Sequence, residues 1–189
     1  MEQELKTKNG RKNSKVYTMV QIAVMAALIC VLSPLSIPVG PVPITFANLA
    51  MYFALYLLGW KNGTISLLCY ILIGMIGVPV FSGFTGGVGK LVGPTGGYII
   101  GYIPLVIVSG LAIEKCHNRL VQFLGLVLGV ALCYTLGTVW YCYQAGVGLQ
   151  KAMGACVIPF IPGDLIKIII AMLLGPVLRK SLLRAGLIR

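Results

Sequence analysis

The chain has 189 residues, 58% of them hydrophobic and only 10% charged. Soluble domains carry about 25% charged residues, so this composition excludes an ordinary soluble protein and points to an all-α integral membrane protein. The net charge of +11 does not indicate nucleic acid. Lys6, Lys8, Arg11, Lys12 and Lys15 precede the first apolar run, and Arg179, Lys180, Arg184 and Arg189 follow the last, as expected for cytoplasmic ends under the positive-inside rule.

Residues 1–15 read as a basic cytoplasmic tail, flexible or forming a short surface helix. Residues 16–189 read as a single transmembrane domain with six spans. The first runs from about Val16 to Leu35 and carries Ala23 and Ala27 four apart on one face, a small-xxx-small pattern that permits close helix approach. Internal packing and docking of another membrane subunit account for it equally well. Its basic start mimics a signal peptide, but the run is long and lacks a small-x-small cleavage site, so it is expected to be retained.

Loop 1 follows. Pro38, Pro41 and Pro43 forbid a regular helix between Ser36 and Phe46 and favour extended backbone. Irregular apolar backbone near a membrane is tolerated where it is buried or lines a cavity, so this segment is either a lid or a re-entrant packing loop. The second span is expected at Phe46–Trp60, with Lys61-Asn62-Gly63 as a tight turn before the third at Thr64–Phe81.

Loop 3 then runs from Ser82 to Tyr98, with glycine at seven of its seventeen positions. It is not a nucleotide-binding P-loop: Phe84 stands where the first glycine belongs, and Leu91, not Ser or Thr, follows Lys90. Glycine here supplies close approach to a ligand and N–H groups free to cradle an anion. The fourth span covers Thr95–Glu114, a charged loop holds Lys115 to Arg119, and the fifth covers Leu120–Tyr143. A short glycine-containing connection with Lys151 leads to the sixth, Pro162–Leu178. An even count places both termini on one side. The inner loops then hold Lys61, Lys115 and Arg119, and the outer ones only Lys90 and Lys151. The Pro-rich loop 1, the Gly-rich loop 3 and the start of the sixth helix all fall on the outer side.

That sixth helix carries the chemistry. Asp164 and Lys167 are three residues apart and share a helix face within an apolar run. A charge at membrane depth costs roughly 2.5–3.5 kcal/mol on insertion scales and marks a pocket or a bundle interior. An ion pair that serves packing alone competes with this reading, although buried pairs add little stability. Functionally, Asp164 accepts N–H groups and Lys167 donates to a carbonyl or carboxylate. Catalysis has no support: there is no Ser/His/Asp set, no H-E-x-x-H and no second buried acid. The six cysteines show no C-x-x-C pair and read as small buried hydrophobes, and His117 reads as solvated.

With these motifs in hand, the chain resembles the biotin-specific substrate-binding component, the BioY family, of energy-coupling factor (ECF) transporters. The matching residues are Gly40-Pro-Val-Pro-Ile-Thr45, Gly77-Val-Pro-Val-Phe81, Gly93-Pro-Thr-Gly-Gly-Tyr98 and Pro159-Phe-Ile-Pro-Gly-Asp164-Leu-Ile-Lys167. Two departures from the family's pattern stand out: Ala47 replaces a common glutamine, and Trp60-Lys61 replaces a more usual Pro-Arg pair. The resemblance implies a plasma-membrane subunit, not an enzyme and without a cofactor. Such a subunit captures biotin from outside and passes it inward only with a transmembrane coupling subunit and two ATPases.

The implied substrate-binding set is Asp164, Lys167, Tyr98, Thr45, Phe84, Gly87, Lys90, Thr95, Gly97 and Phe160. Asp164 and Lys167 would hold the ureido ring, Phe84, Tyr98 and Phe160 would flank the bicycle or tail, and Thr45 would close over it with loop 1. Loop N–H groups or Lys90 would meet the carboxylate. Ala23 and Ala27 would form the docking face. The rival expectation is an ion-coupled secondary transporter of a small polar solute, working without ATPases, with Asp164 as proton carrier.

Overall fold

A computed structural model describes residues 2–38, 42–116 and 118–188, with side chains described from residue 15 onward. Gly40, Pro41, His117, Arg189 and the side chains of Lys6, Lys8, Arg11 and Lys12 lie outside that description. The described residues form seven helices and one two-stranded hairpin. Helix α1 (Glu2–Leu32) begins inside the expected tail, so helix and not irregular chain leads into the first span. Five of the described helices carry stretches long and apolar enough to cross a membrane: Lys15–Leu32, Ala47–Met75, Gly96–Lys115, Arg119–Ala145 and Ile161–Arg184.

Loop 1 folds as a hairpin, β1 (Ser36–Ile37) pairing antiparallel with β2 (Ile44–Thr45). Helix α2 (Ala47–Met75) occupies the region expected to hold two spans and a turn at Lys61-Asn62-Gly63. The break lies earlier, at Gly59, whose φ of 78° and ψ of 174° suit glycine alone. Lys61, Asn62 and Gly63 are helical instead. Gly63 is needed for another reason, since a Cβ there would lie 2.9 Å from Leu55 Cδ2 and 3.5 Å from the Ala54 carbonyl carbon. The segment after Gly59 therefore lies directly against the one before it. Glu114 accepts the Trp60 N–H at 3.2 Å, placing a carboxylate at the start of the second segment.

Within loop 3 a short helix α3 (Val88–Val92) forms after Gly87. Helices α4 (Gly96–Lys115) and α5 (Arg119–Ala145) pack against each other most extensively among the described elements. A Cβ at Gly101 would lie 3.1 Å from the Cys133 carbonyl oxygen, so the two backbones approach closely. The connection carrying Lys151 is itself helical, α6 (Leu149–Cys156). The last helix, α7 (Ile161–Arg184), runs beside the first segment of α2: Asn48 reaches Asp164, and Gly175 faces the ring of Tyr56. Ile29, Met51, Tyr52, Leu55, Leu67, Phe81, Leu105, Leu126 and Ile168 fill the core between these helices.

Candidate functional site

Asp164 lies in the first turn of α7, where the helix dipole favours an anion, and Pro162 precedes it at a position whose N–H has no intrahelical acceptor. Lys167 follows one turn later, and its Nζ lies 2.8 Å from Asp164 Oδ1. The two residues are 5% and 7% exposed, and theirs is the only salt bridge among the described residues. Three other elements converge on the pair. From β2, the Thr45 carbonyl accepts from Lys167 Nζ at 2.8 Å. From α2, Asn48 Nδ2 donates to Asp164 Oδ2 at 3.4 Å. From α5, the Tyr134 hydroxyl donates to the same oxygen at 2.6 Å, within the range of a charge-assisted bond.

These bonds leave part of the site's capacity unused. An ammonium has three donors, and Lys167 spends two on Asp164 and Thr45. A carboxylate offers about four acceptor positions, and Asp164 fills three. Asn48 Oδ1 accepts no hydrogen bond among the described residues. Asn48 Nδ2 likewise keeps one of its two N–H donors. Donors on Lys167 and Asn48 and acceptors on Asp164 Oδ1 and Asn48 Oδ1 therefore remain for a guest.

The space beside them is a cavity of about 50 Å³, lined by Thr45, Asn48, Tyr98, Tyr102, Tyr134, Phe160, Asp164 and Lys167 among others. A second cavity of about 20 Å³ shares Val42, Pro43, Thr45, Tyr98 and Tyr102 with it and adds Ser33, Tyr70, Ser82, Thr95 and Ile99. The Tyr98 hydroxyl is engaged with Thr138 at 3.0 Å, so Tyr98 presents its ring to the cavity. A larger cavity, about 340 Å³, opens at the far end of the bundle near Asn62 and Glu114. The smaller space is the chemically organised one, because the buried ion pair and its partners all meet there.

Of the residues singled out in the sequence, Asp164, Lys167, Thr45, Tyr98 and Phe160 come together, and Thr95 lines the adjoining cavity. Phe84, Gly87, Lys90 and Gly97 line neither space. Phe84 is 65% exposed on loop 3. Lys90 lies on α3, where partial burial pulls its pKa below the ordinary lysine value. Gly97 is packing, because a Cβ there would collide with the Cβ of Trp140. Ala23 and Ala27 are exposed on the outside of α1. Sequence reading missed Asn48, Tyr102 and Tyr134. Their only signal was a polar group within an apolar run.

Comparison with known proteins gives the family. The profile of the BioY family matches residues 3–184. The chain belongs to the BioY family. Among its relatives in that family, the biotin transporter BioY of Thermotoga maritima is 37% identical over 165 residues, covering 86% of this chain and 95% of its own. The probable biotin transporter BioY of Pyrococcus horikoshii is 36% identical over 82% of this chain and 91% of its own. In three dimensions this BioY-family chain is similar to the crystal structure of the S-component for biotin from an ECF-type ABC transporter. The TM-score is 0.80 and the identity 35%, over 89% of this chain and 93% of that one.

Proposed function

We propose that this chain is the substrate-binding S component of an ECF-type importer and that its ligand is biotin. The observation that carries the reading is the unused hydrogen-bonding capacity at Asp164, Lys167 and Asn48. A cyclic urea has two N–H donors, which suit the open acceptors of Asp164 and Asn48, and a carbonyl oxygen with two lone pairs, which suits the open donors of Lys167 and Asn48. Relatives named for biotin transport, and a similar S component solved for biotin, support the same ligand.

In this reading the ureido ring lies against Asp164, Lys167 and Asn48, and the apolar part of the ligand against Tyr98 and Phe160. The carboxylate points towards the hydroxyls of Ser33, Ser82 and Thr95. Phe84, Gly87 and Lys90 join only if loop 3 folds inward, and Gly97 acts by letting α4 pack closely against Trp140 of α5. Small-molecule sites usually occupy about 300–1,000 Å³, so entry requires outward movement of the β1–β2 hairpin. The Lys167–Thr45 bond that holds the hairpin down opens on entry and re-forms over the ligand, whose carbonyl takes the donor that Lys167 leaves open.

Six passes follow if the two segments of α2 count separately, which puts both termini in the cytoplasm. The first segment, residues 47–58, spans about 18 Å at 1.5 Å per residue, short of a ~30 Å hydrocarbon core. Its outer end, bearing Asn48, then lies below the outer boundary, and the site sits at depth. The exposed Ala23–Ala27 face is free to meet a coupling subunit, with two ATPases supplying the energy.

The test is calorimetry of biotin binding to purified protein, followed by uptake in proteoliposomes with and without the coupling subunits. Tight binding with ATP-dependent uptake only in their presence supports the proposal. Uptake by the chain alone, driven by a pH gradient, supports the secondary-transporter alternative.

A further inference from the structure

Tyr134 touches more than Asp164. Both residues line the site cavity, and both also line a separate groove of about 230 Å³ between α5 and α7. Its remaining walls are apolar and include Val127, Ala131, Ile161 and Leu165. Ala131, Ile161 and Leu165 are exposed, so the groove opens on the outside of the bundle, where α5 and α7 face hydrocarbon. Ala131 lies three residues before Tyr134 on the same helix face, and its single methyl leaves room that a larger side chain would fill. Tyr134 and Asp164 thus stand together between a polar site and an apolar side pocket.

We infer that Tyr134 is a positioning and specificity residue of the binding site. Its hydroxyl fixes Asp164 Oδ2, and its ring closes off a side pocket between α5 and α7 fit for a hydrocarbon substituent on the ring of the ligand. This rests on the reading of the site as one for a cyclic urea. The hydroxyl leaves Asp164 with its open acceptor in a defined direction, because Lys167, Asn48 and Tyr134 hold the carboxylate from both oxygens. The ring makes the site selective: with it in place, a guest carrying an alkyl group towards Asp164 meets a wall.

The experiment uses the purified full chain in detergent, with biotin and two biotin analogues, each bearing a butyl group on one ureido nitrogen. Tyr134→Phe keeps the wall and removes the bond. It is expected to weaken biotin binding about tenfold or more while still excluding both analogues. Tyr134→Ala removes both and joins groove to site, so the preference for biotin over at least one analogue is expected to fall about tenfold or more, although the analogue still lacks one N–H donor. Adding Ala131→Leu to that variant refills the groove and restores the parent's preference. Tyr134→Leu shifts the preference the same way and carries the test if the alanine variant does not fold. The preference ratio separates this role from a structural one, since mere destabilisation weakens all three ligands together. A parent that binds no biotin overturns the functional reading and this inference with it. A parent that binds biotin overturns this inference alone if Tyr134→Ala keeps the parent's preference, or if Tyr134→Phe binds biotin as the parent does.

Discussion

The guanidinium of Arg119 donates from Nη1 to the carbonyl of Met172 at 3.2 Å. That carbonyl would ordinarily accept the N–H of residue 176, but residue 176 is proline, inside α7. Arg119, the first residue of α5, therefore replaces the donor that Pro176 removes. With Tyr134 and Asp164 nearer the site, α5 and α7 are tied at two levels with the apolar groove between them.

This relationship predicts a coupling. Arg119→Ala should lower thermal stability by about 1 kcal/mol, since the bond is charged but solvent-exposed. In a Pro176→Ala background the helix supplies its own N–H, and the same substitution should change little. A double-mutant cycle by melting in detergent measures the difference. Equal losses in both backgrounds would show that Arg119 acts elsewhere.

The Asp164–Lys167 pair can be separated from the fold. Asp164→Ala leaves a buried ammonium without its counter-charge, at about 3–5 kcal/mol, and should abolish biotin binding. Asp164→Leu combined with Lys167→Met removes both charges, and replacing a whole buried pair by apolar residues is often neutral. The double variant should melt close to the parent yet bind no biotin. Calorimetry and melting on the same samples check both halves.

Tyr98 is held from behind by a glycine. A Cβ at Gly137 would collide with Cδ1 of the Tyr98 ring, so Gly137→Ala must push that ring towards the site cavity. Overpacking of this kind costs about 1–3 kcal/mol, and biotin affinity should fall although residue 137 lies outside the cavity lining. A crystal structure of the variant should show the ring displaced.

The exposed face of α1 offers the opposite test. Ala23→Leu and Ala27→Leu add bulk where both positions are exposed, so melting temperature and biotin affinity should stay at parental values. Copurification with the coupling subunit should be lost. Retained assembly would remove this face from the docking surface.

Much of this could be read along the chain. Apolar runs pointed to a helical membrane protein, and five of the described helices are long and apolar enough to cross a membrane, because crossing hydrocarbon needs length and composition only. Asp164 and Lys167 could be paired because three residues on a helix set a common face whatever surrounds it. The prolines of loop 1 predicted extended backbone, and the two strands of the hairpin are extended. The bend in α2 has no such local mark. Gly59 and Gly63 look alike in sequence, and only the packing of one segment against the other shows that Gly59 turns the chain and Gly63 admits Leu55.

The site itself divides the same way. The amino-acid sequence by itself determined a membrane-embedded helical protein with one acid and one base on a shared face near a helix start. Tertiary structure alone decided what surrounds them. Asn48 is 116 residues from Asp164 and Tyr134 is 30 residues away, and no local periodicity links them. Their meeting depends on how α2, α5 and α7 rotate and pack, which the close contact at Gly175 and the tie at Arg119 help to set. Helical periodicity is a property of one segment, whereas a carboxylate's hydrogen bonds are a property of the whole bundle.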